Sequence, residues 1–246
     1  MNLLIISDLH IDTGDKLGIF QWNDDEFIGC IEKFRELYSV NKIILNGDIF
    51  ELLKYSFYEI RKARPLLVRY LLNSKFIILK GNHDILNTIG KEFYRITNSS
   101  GQVIHIEHGH NADWLNGNFL GRLLGQFIFF LLKRMSNIKY MTELYFNILK
   151  RNEGISVIPK KYNTLNYLTY ALRKLKECDV LILGHTHKLE SHHTYYMNRK
   201  KRYINCGSCS LGRFEGIILN TETLEYDLIK ETIESLRKSN SMTYAG

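Results

Sequence analysis

Short, unbroken apolar runs recur along the first two thirds of the chain. Asn2 to Ile6, Lys42 to Leu45, Phe76 to Leu79, Val103 to Ile106 and Val180 to Leu183 are each brief and rich in branched residues. Each reads as a strand covered on both faces. Between the first three, Asp24 to Tyr38 and Phe57 to Leu72 place apolar residues three and four apart, as amphipathic helices do. This strand-helix alternation predicts a largely parallel central sheet. After His187 the texture changes: Ser191 to Met197, Arg202 to Cys206, Glu215 to Leu219 and Leu224 to Ile229 read as short strands. Asn198 to Lys201 and Asn220 to Thr223 supply turns. The expectation is an antiparallel meander forming a second sheet, and hence an α/β fold in which a β-sandwich of mixed sheets is flanked by helices.

The segment from Trp114 to Cys178 breaks the strand rhythm. Phe119 to Leu132, Tyr140 to Leu149 and Thr164 to Leu175 have helical spacing, which predicts a helical cap inserted at about 114–178 of a single domain spanning 1–246. Charge sharpens the picture here. The chain carries +7 overall, but Trp114 to Lys176 holds eleven basic residues against two acidic ones, and the remainder is slightly acidic. The run from Phe119 to Leu132 is too short and interrupted to span a bilayer. Its apolar residues nevertheless exceed one helical face. Other cap helices can cover the excess, or an anionic membrane surface can, since apolar bulk with Lys and Arg is how interfacial elements meet headgroups.

Composition adds little beyond a compact chain, 45% hydrophobic and 24% charged with two prolines. The first apolar run lacks the basic flank of a secretory leader, and the four cysteines are too scattered for a disulfide framework. A cytoplasmic protein is expected, peripheral at the inner membrane face if the cap meets lipid. Cys206-Gly207-Ser208-Cys209 is a lone CxxC and reads as small residues packed after a strand.

Each buried strand delivers polar residues at its carboxyl end, where open α/β sheets place their sites. In order these are Asp8-Leu9-His10, Asn46-Gly47-Asp48, Gly81-Asn82-His83-Asp84, His108-Gly109-His110 and Gly184-His185-Thr186-His187. Singly, a strand-end Asp is often a helix cap and a loop His is often solvated. Five successive clusters of Asp, Asn and His, the hard and borderline ligands of divalent metals, are another matter. One-residue spacing in Asp8-Leu9-His10 and His185-Thr186-His187 lets both side chains point the same way on an extended backbone. His105, His192 and His193 fit no such cluster and are assigned to packing or surface. Asp12, Asp15, Asp24 and Asp25 read as a solvated loop and helix cap.

The five motifs, DxH, GD, GNHD, a ligand His and GHxH, resemble in kind and order those of the calcineurin-like metallophosphoesterases, over roughly Met1 to His187. That resemblance implies that Asp8, His10 and His187 hold one metal, that Asn82, His108 and His185 hold the other, and that Asp48 bridges them. The family takes the first histidine of His-Gly-His as ligand, which favours His108 and leaves His110 to contact substrate. It makes His83 the proton-handling group, with Asp84 holding its imidazole. Such ligands accept Mn²⁺, Fe²⁺, Zn²⁺ or Ni²⁺; Mn²⁺ is the expectation here. Two cations about 3.5 to 4 Å apart bind a phosphoryl group and lower the pKa of a bridging water. The expected function is hydrolysis of a phosphodiester, phosphomonoester or pyrophosphate bond by a metal-bridging hydroxide.

The substrate is read from the cap. His108-Gly109-His110-Asn111-Ala112-Asp113 followed by a helical insertion is similar to the UDP-2,3-diacylglucosamine hydrolases, which implies a lipid- or nucleotide-linked substrate. A nuclease would also use a basic cap, although its excess of Phe and Leu over Tyr and Arg argues against stacked bases. A non-catalytic scaffold of the same fold is the third reading, and the complete ligand set speaks against it.

Overall fold

In a computed structural model, residues 1–84, 90–112, 127–128, 130–135, 138–152 and 161–243 are described. The strands are β1 (Asn2–Ile6), β2 (Lys42–Asn46), β3 (Phe76–Leu79), β4 (Phe93–Thr97), β5 (Val103–Glu107), β6 (Val180–Leu183), β7 (Leu189–Tyr196), β8 (Arg199–Cys206), β9 (Arg213–Asn220) and β10 (Tyr226–Thr232). The helices are α1 (Asp24–Leu37), α2 (Phe57–Ala63), α3 (Pro65–Leu71), α4 (Lys139–Asn152), α5 (Lys161–Lys174) and α6 (Ile233–Thr243). The single helix expected over Phe57 to Leu72 is two, because Pro65 lacks the N–H that would continue α2 and instead starts α3.

Two mixed five-stranded sheets form, in the orders β10-β9-β1-β2-β3 and β4-β5-β6-β8-β7. The strands after His187 do not make a sheet of their own. β7 and β8 extend the second sheet, with β8 parallel to β6. β9 instead lies antiparallel to β1, Leu3 opposite Leu219, and β10 follows it. The apolar runs at Val103 and Val180 belong to the second sheet rather than to one central sheet. The β7–β8 turn is Met197-Asn198, both with positive φ, so the strand resumes at Arg199 instead of after Lys201. A two-residue loop of this backbone matches the strands' own twist.

The layering explains the unbroken apolar runs. Along β1, Leu3 and Ile5 face the other sheet, packing with Ile44, Ile106, Ile182 and Ile204. Leu4 and Ile6 face the opposite way, onto Phe27 and Ile31 of α1 and Leu67 of α3. Both faces of the strand are therefore dry, and no alternation is needed. The second sheet's outer face, Leu181, Leu183 and Tyr203, is covered by Tyr167 and Ala171 of α5 with Leu175.

Between β5 and β6 the described elements are helical. Residues 127–128 and 130–135 are helical and α4 and α5 follow; most of the expected Phe119 to Leu132 helix lies outside the described residues. α4 seats on the core through Tyr145, which is buried with Leu17 and Ile19, and through Phe146 and Leu149. Leu17 and Ile19 belong to the loop after β1, which Asp12 organises by accepting hydrogen bonds from the amides of Gly14, Ile19 and Phe20. Asp12 is thus buried rather than solvated. The α1 cap is Asn23, whose side chain accepts from the Asp25 amide, and Asp24 pairs with Arg64.

Candidate metal centre

The carboxyl ends of β1, β2 and β3 in one sheet and of β5 and β6 in the other converge at a single edge of the sandwich. The backbone there is not extended: Asp8, His10, Asp48, His185 and His187 have φ of 54°, 50°, 51°, 69° and 56°. Left-handed conformations of this kind are costly outside glycine and persist where surrounding structure over-determines them. Here, hydrogen bonds from the Asp8 amide to the Gly47 carbonyl (3.1 Å) and from the His10 amide to the Asp48 carbonyl (2.9 Å) lace the two strand ends together. The paired ligand-type residues of Asp8-Leu9-His10 and His185-Thr186-His187 therefore converge through kinked backbone, not through extended strand as the spacing suggested. Glycines make the close approach feasible. A Cβ at Gly81 would sit 2.0 Å from Asp48 Oδ1, and one at Gly47 (φ 81°) would sit 2.5 Å from the His108 ring.

Three overlapping groups of side chains meet at this edge, one of them, His10, Asp48 and His83, linking the other two. Asp8, His10 and His187 bring one donor atom each within 4.8 Å of one another, and so do Asp48, His108 and His185. Individual separations are short. His187 Nε2 lies 3.0 Å from Asp8 Oδ1, His108 Nε2 lies 3.3 Å from Asp48 Oδ2, and His10 Nε2 lies 3.3 Å from His187 Nε2. Backbone contacts set the side chains. His108 Nδ1 donates to the Asn46 carbonyl at 2.8 Å, which fixes the tautomer that leaves Nε2 bare toward the cluster. The amide of His83 donates to Asp48 Oδ1 at 2.8 Å and that of His185 to Asp8 Oδ2 at 2.9 Å.

Burial alone would raise the carboxyl pKa of Asp8 and Asp48, but facing imidazoles reverse this and hold both below the usual range: His187 and His108 act on Asp8, His108 and His83 on Asp48. The same carboxylates overcome the burial of His108 and push it up to about 9. Without cations, protonated imidazoles would offset the buried negative charge, and a cation at His108 Nε2 would displace that proton. Asn82 Oδ1 and His108 Nε2 are buried and make no hydrogen bond. Unsatisfied buried polar atoms cost about 1–3 kcal/mol each, and nitrogen and oxygen atoms converging with anionic carboxylates form a donor set that divalent cations accept. The residues present fit such ions.

The contact expected between Asp84 and His83 is absent. The Asp84 carboxylate accepts instead from the backbone amides of Ile49 (2.7 Å) and Gly81 (2.6 Å), tying the β2 and β3 ends together. Burial and the neighbouring Asp48 raise its pKa to about 6. The partner of His83 is Glu51, whose Oε1 accepts from Nδ1 at 2.7 Å, while its Oε2 lies 3.3 Å from His10 Nδ1. Glu51 is fully buried. The sequence signal was a lone carboxylate in the apolar run Ile49 to Leu53, a residue with no place in a core unless paired. His110, expected at the substrate, is buried on a single 3₁₀ turn with its ring 5.6 Å from that of His108. His105 stacks on Phe93 and faces Glu107 at 3.0 Å, and His192 stacks on Tyr203. The cysteines are all free and buried.

Solved structures match the chain at low sequence identity. An archaeal phosphodiesterase is 20% identical, with 94% of this chain and 100% of that one covered and a TM-score of 0.45. A dimetal phosphatase from Danio rerio is 10% identical over 94% and 98%, TM-score 0.46. Zinc-complexed Vps29 from Entamoeba histolytica is 18% identical over 95% and 93%, TM-score 0.43. No curated protein matches the sequence significantly. The family model of the calcineurin-like phosphoesterases matches residues 1–189, more than three quarters of the sequence, and the chain belongs to that family.

Proposed function

We propose that the protein is a two-metal phosphoester hydrolase. Asp8, His10 and His187 would hold one cation, Asn82, His108 and His185 the other, with Asp48 between them. Bound there, two cations neutralise phosphoryl charge and lower the pKa of attacking water. The chain itself supplies position and protons. Glu51 accepts the Nδ1 proton of His83 and so turns Nε2 inward, to within 4.0 Å of Asp48 Oδ2. Burial would disfavour the imidazolium, but Glu51 and Asp48 raise its pKa, which suits a ring that hands a proton to the leaving oxygen. The observation that carries this reading is the set of adjoining donor groups at one buried edge, Asp8, His10 and His187 beside Asp48, His108 and His185.

The test uses protein stripped with chelator and reloaded with Mn²⁺. Hydrolysis of bis-p-nitrophenyl phosphate or p-nitrophenyl phosphate is expected; inactivity with both, and with a nucleotide diphosphate-linked lipid, would leave the scaffold reading standing.

For the substrate, we read the outer face of the cap as a surface for a lipid-linked phosphate at an anionic membrane. α4 has two apolar stripes. One, with Tyr145 and Leu149, packs on the core; the other, Tyr140, Leu144 and Ile148 at four-residue spacing, faces solvent. Phe127 and Phe130, in the helical stretch that precedes α4 in the chain, are 58% and 62% exposed. A second exposed stripe within a strongly basic segment is the pattern of an interfacial element. No helix among the described residues is long and apolar enough to cross a membrane. Vesicles containing phosphatidylglycerol should therefore sediment the protein, with binding lost when Phe127 and Phe130 become Ser. Sedimentation equal for wild type and variant would sink this reading and leave a phosphorylated small molecule as the substrate class. Tight, steeply salt-dependent binding of DNA instead would favour the nuclease.

A further inference from the structure

Glu51 has a third neighbour, and it leads out of the metal centre to the cap. Lys54, almost completely buried, holds its ammonium 3.6 Å from Glu51 Oε2. The same nitrogen donates to the hydroxyl of Tyr145 on α4 at 2.6 Å and reaches the Leu17 carbonyl at 3.4 Å. Lys54 and Tyr145 stand 91 residues apart in the chain. The line His83, Glu51, Lys54, Tyr145 is thus continuous from the proton-handling ring to the insertion.

We propose that Lys54 and Tyr145 are positioning residues that make the orientation of His83 depend on the cap helix being seated. A buried ammonium must be paired and hydrogen-bonded. With α4 seated, Tyr145 and Leu17 satisfy two of its donors and its charge stays beside Glu51. With α4 lifted, the Tyr145 acceptor is lost and water enters. Lys54 is then free to leave Glu51, and the carboxylate no longer holds a single position between His83 and His10. His83 is aligned when the cap lies over the site and loses alignment when it opens, so proton delivery is confined to the closed state. The four groups act as one network, in which removal of a distal member is felt at the near one.

The inference rests on the proposed role of His83 as proton donor, and two measurements separate the two claims. Tyr145→Phe keeps the ring packed and removes only the hydroxyl; Lys54→Met removes the cation. In the metal-loaded enzyme, kcat is measured for p-nitrophenyl phosphate, whose leaving group departs without a proton, and for phenyl phosphate, whose far more basic oxygen needs one. For phenyl phosphate, kcat should fall about tenfold in Tyr145→Phe and further in Lys54→Met. For p-nitrophenyl phosphate it should change less than about twofold, with KM unchanged for both. Equal losses on the two esters, or none, would overturn the coupling. The second measurement needs no activity: ¹⁵N spectra of the His83 ring, assigned by His83→Gln. The wild type should show a single ring form with protons on both nitrogens, Nδ1–H held by Glu51 and Nε2–H facing the cluster, and Tyr145→Phe should move the resonances toward averaging among several forms. Unmoved resonances overturn the proposal even if the wild type proves inactive on both esters, an outcome that by itself counts against the hydrolase.

Discussion

Asp48→Ala is expected to reduce phosphoester hydrolysis by on the order of a thousandfold or more while leaving the protein folded. The side chain is fully engaged: Oδ1 accepts from the His83 amide at 2.8 Å, and Oδ2 lies 3.3, 3.9 and 4.0 Å from the Nε2 atoms of His108, His10 and His83. Asp48 thus touches imidazoles of both triads, as Asp8 does through His10, His187 and His108. In the proposed centre it is the one shared anionic group, so its loss weakens both cation sites together. Metal ions contribute several kcal/mol of transition-state stabilisation, and each 1.36 kcal/mol is tenfold in rate. Asp84→Asn provides the contrast. Its carboxylate caps two backbone amides rather than facing the cluster, so the Asn variant should lose stability before it loses rate. Rates are compared at saturating Mn²⁺ with folding checked by circular dichroism. An Asp48→Ala enzyme retaining a tenth of wild-type kcat would show that the shared carboxylate is not part of the chemistry.

That the sequence could point to Asp48 at all follows from how the fold uses its strands. A strand dry on both faces is written as an unbroken apolar run, so the first polar residues after it mark where the chain reaches the sandwich edge. Asp8, Asn82, His108 and His185 were therefore visible as positions, and their residue types supplied the chemistry. Three things were not visible. The exchange of β9 and β10 to the first sheet depends on Leu219 meeting Leu3, a pairing between residues more than 200 apart that no local pattern encodes. The left-handed backbone of five candidate ligands is imposed by cross-strand hydrogen bonds such as His10 to Asp48, and none of those residues is a glycine. The orienting carboxylate was sought next to His83 in the chain, at Asp84, whereas the turn after Asp48 brings Glu51 to that ring. Each miss comes from a long-range contact, and the candidate metal centre lies where such contacts are concentrated.

Cation binding should also appear as stability. Without cations the edge confines the carboxylates of Asp8, Asp48 and Glu51 among imidazoles, with the Asn82 and His108 donor atoms unsatisfied. A ligand that binds only the folded state stabilises by about 2.7 kcal/mol at a hundredfold excess over its Kd. Two such sites give about 5 kcal/mol, and in a chain of this size each kcal/mol moves Tm by roughly 2–4 °C. Chelator-treated protein titrated with Mn²⁺ should therefore gain on the order of 10 °C in Tm, reach two ions per chain by native mass spectrometry, and lose most of the gain in Asp48→Ala. This outcome is independent of any substrate. A protein that kept the family's fold as a scaffold, without its ions, would melt at the same temperature with and without Mn²⁺, and the donor triads would then have to be explained as an imidazole–carboxylate cluster that stabilises the sandwich edge by itself. Buried ion pairs seldom do that without additional hydrogen bonds to the charged atoms, and here a bare nitrogen and a bare oxygen remain at its centre.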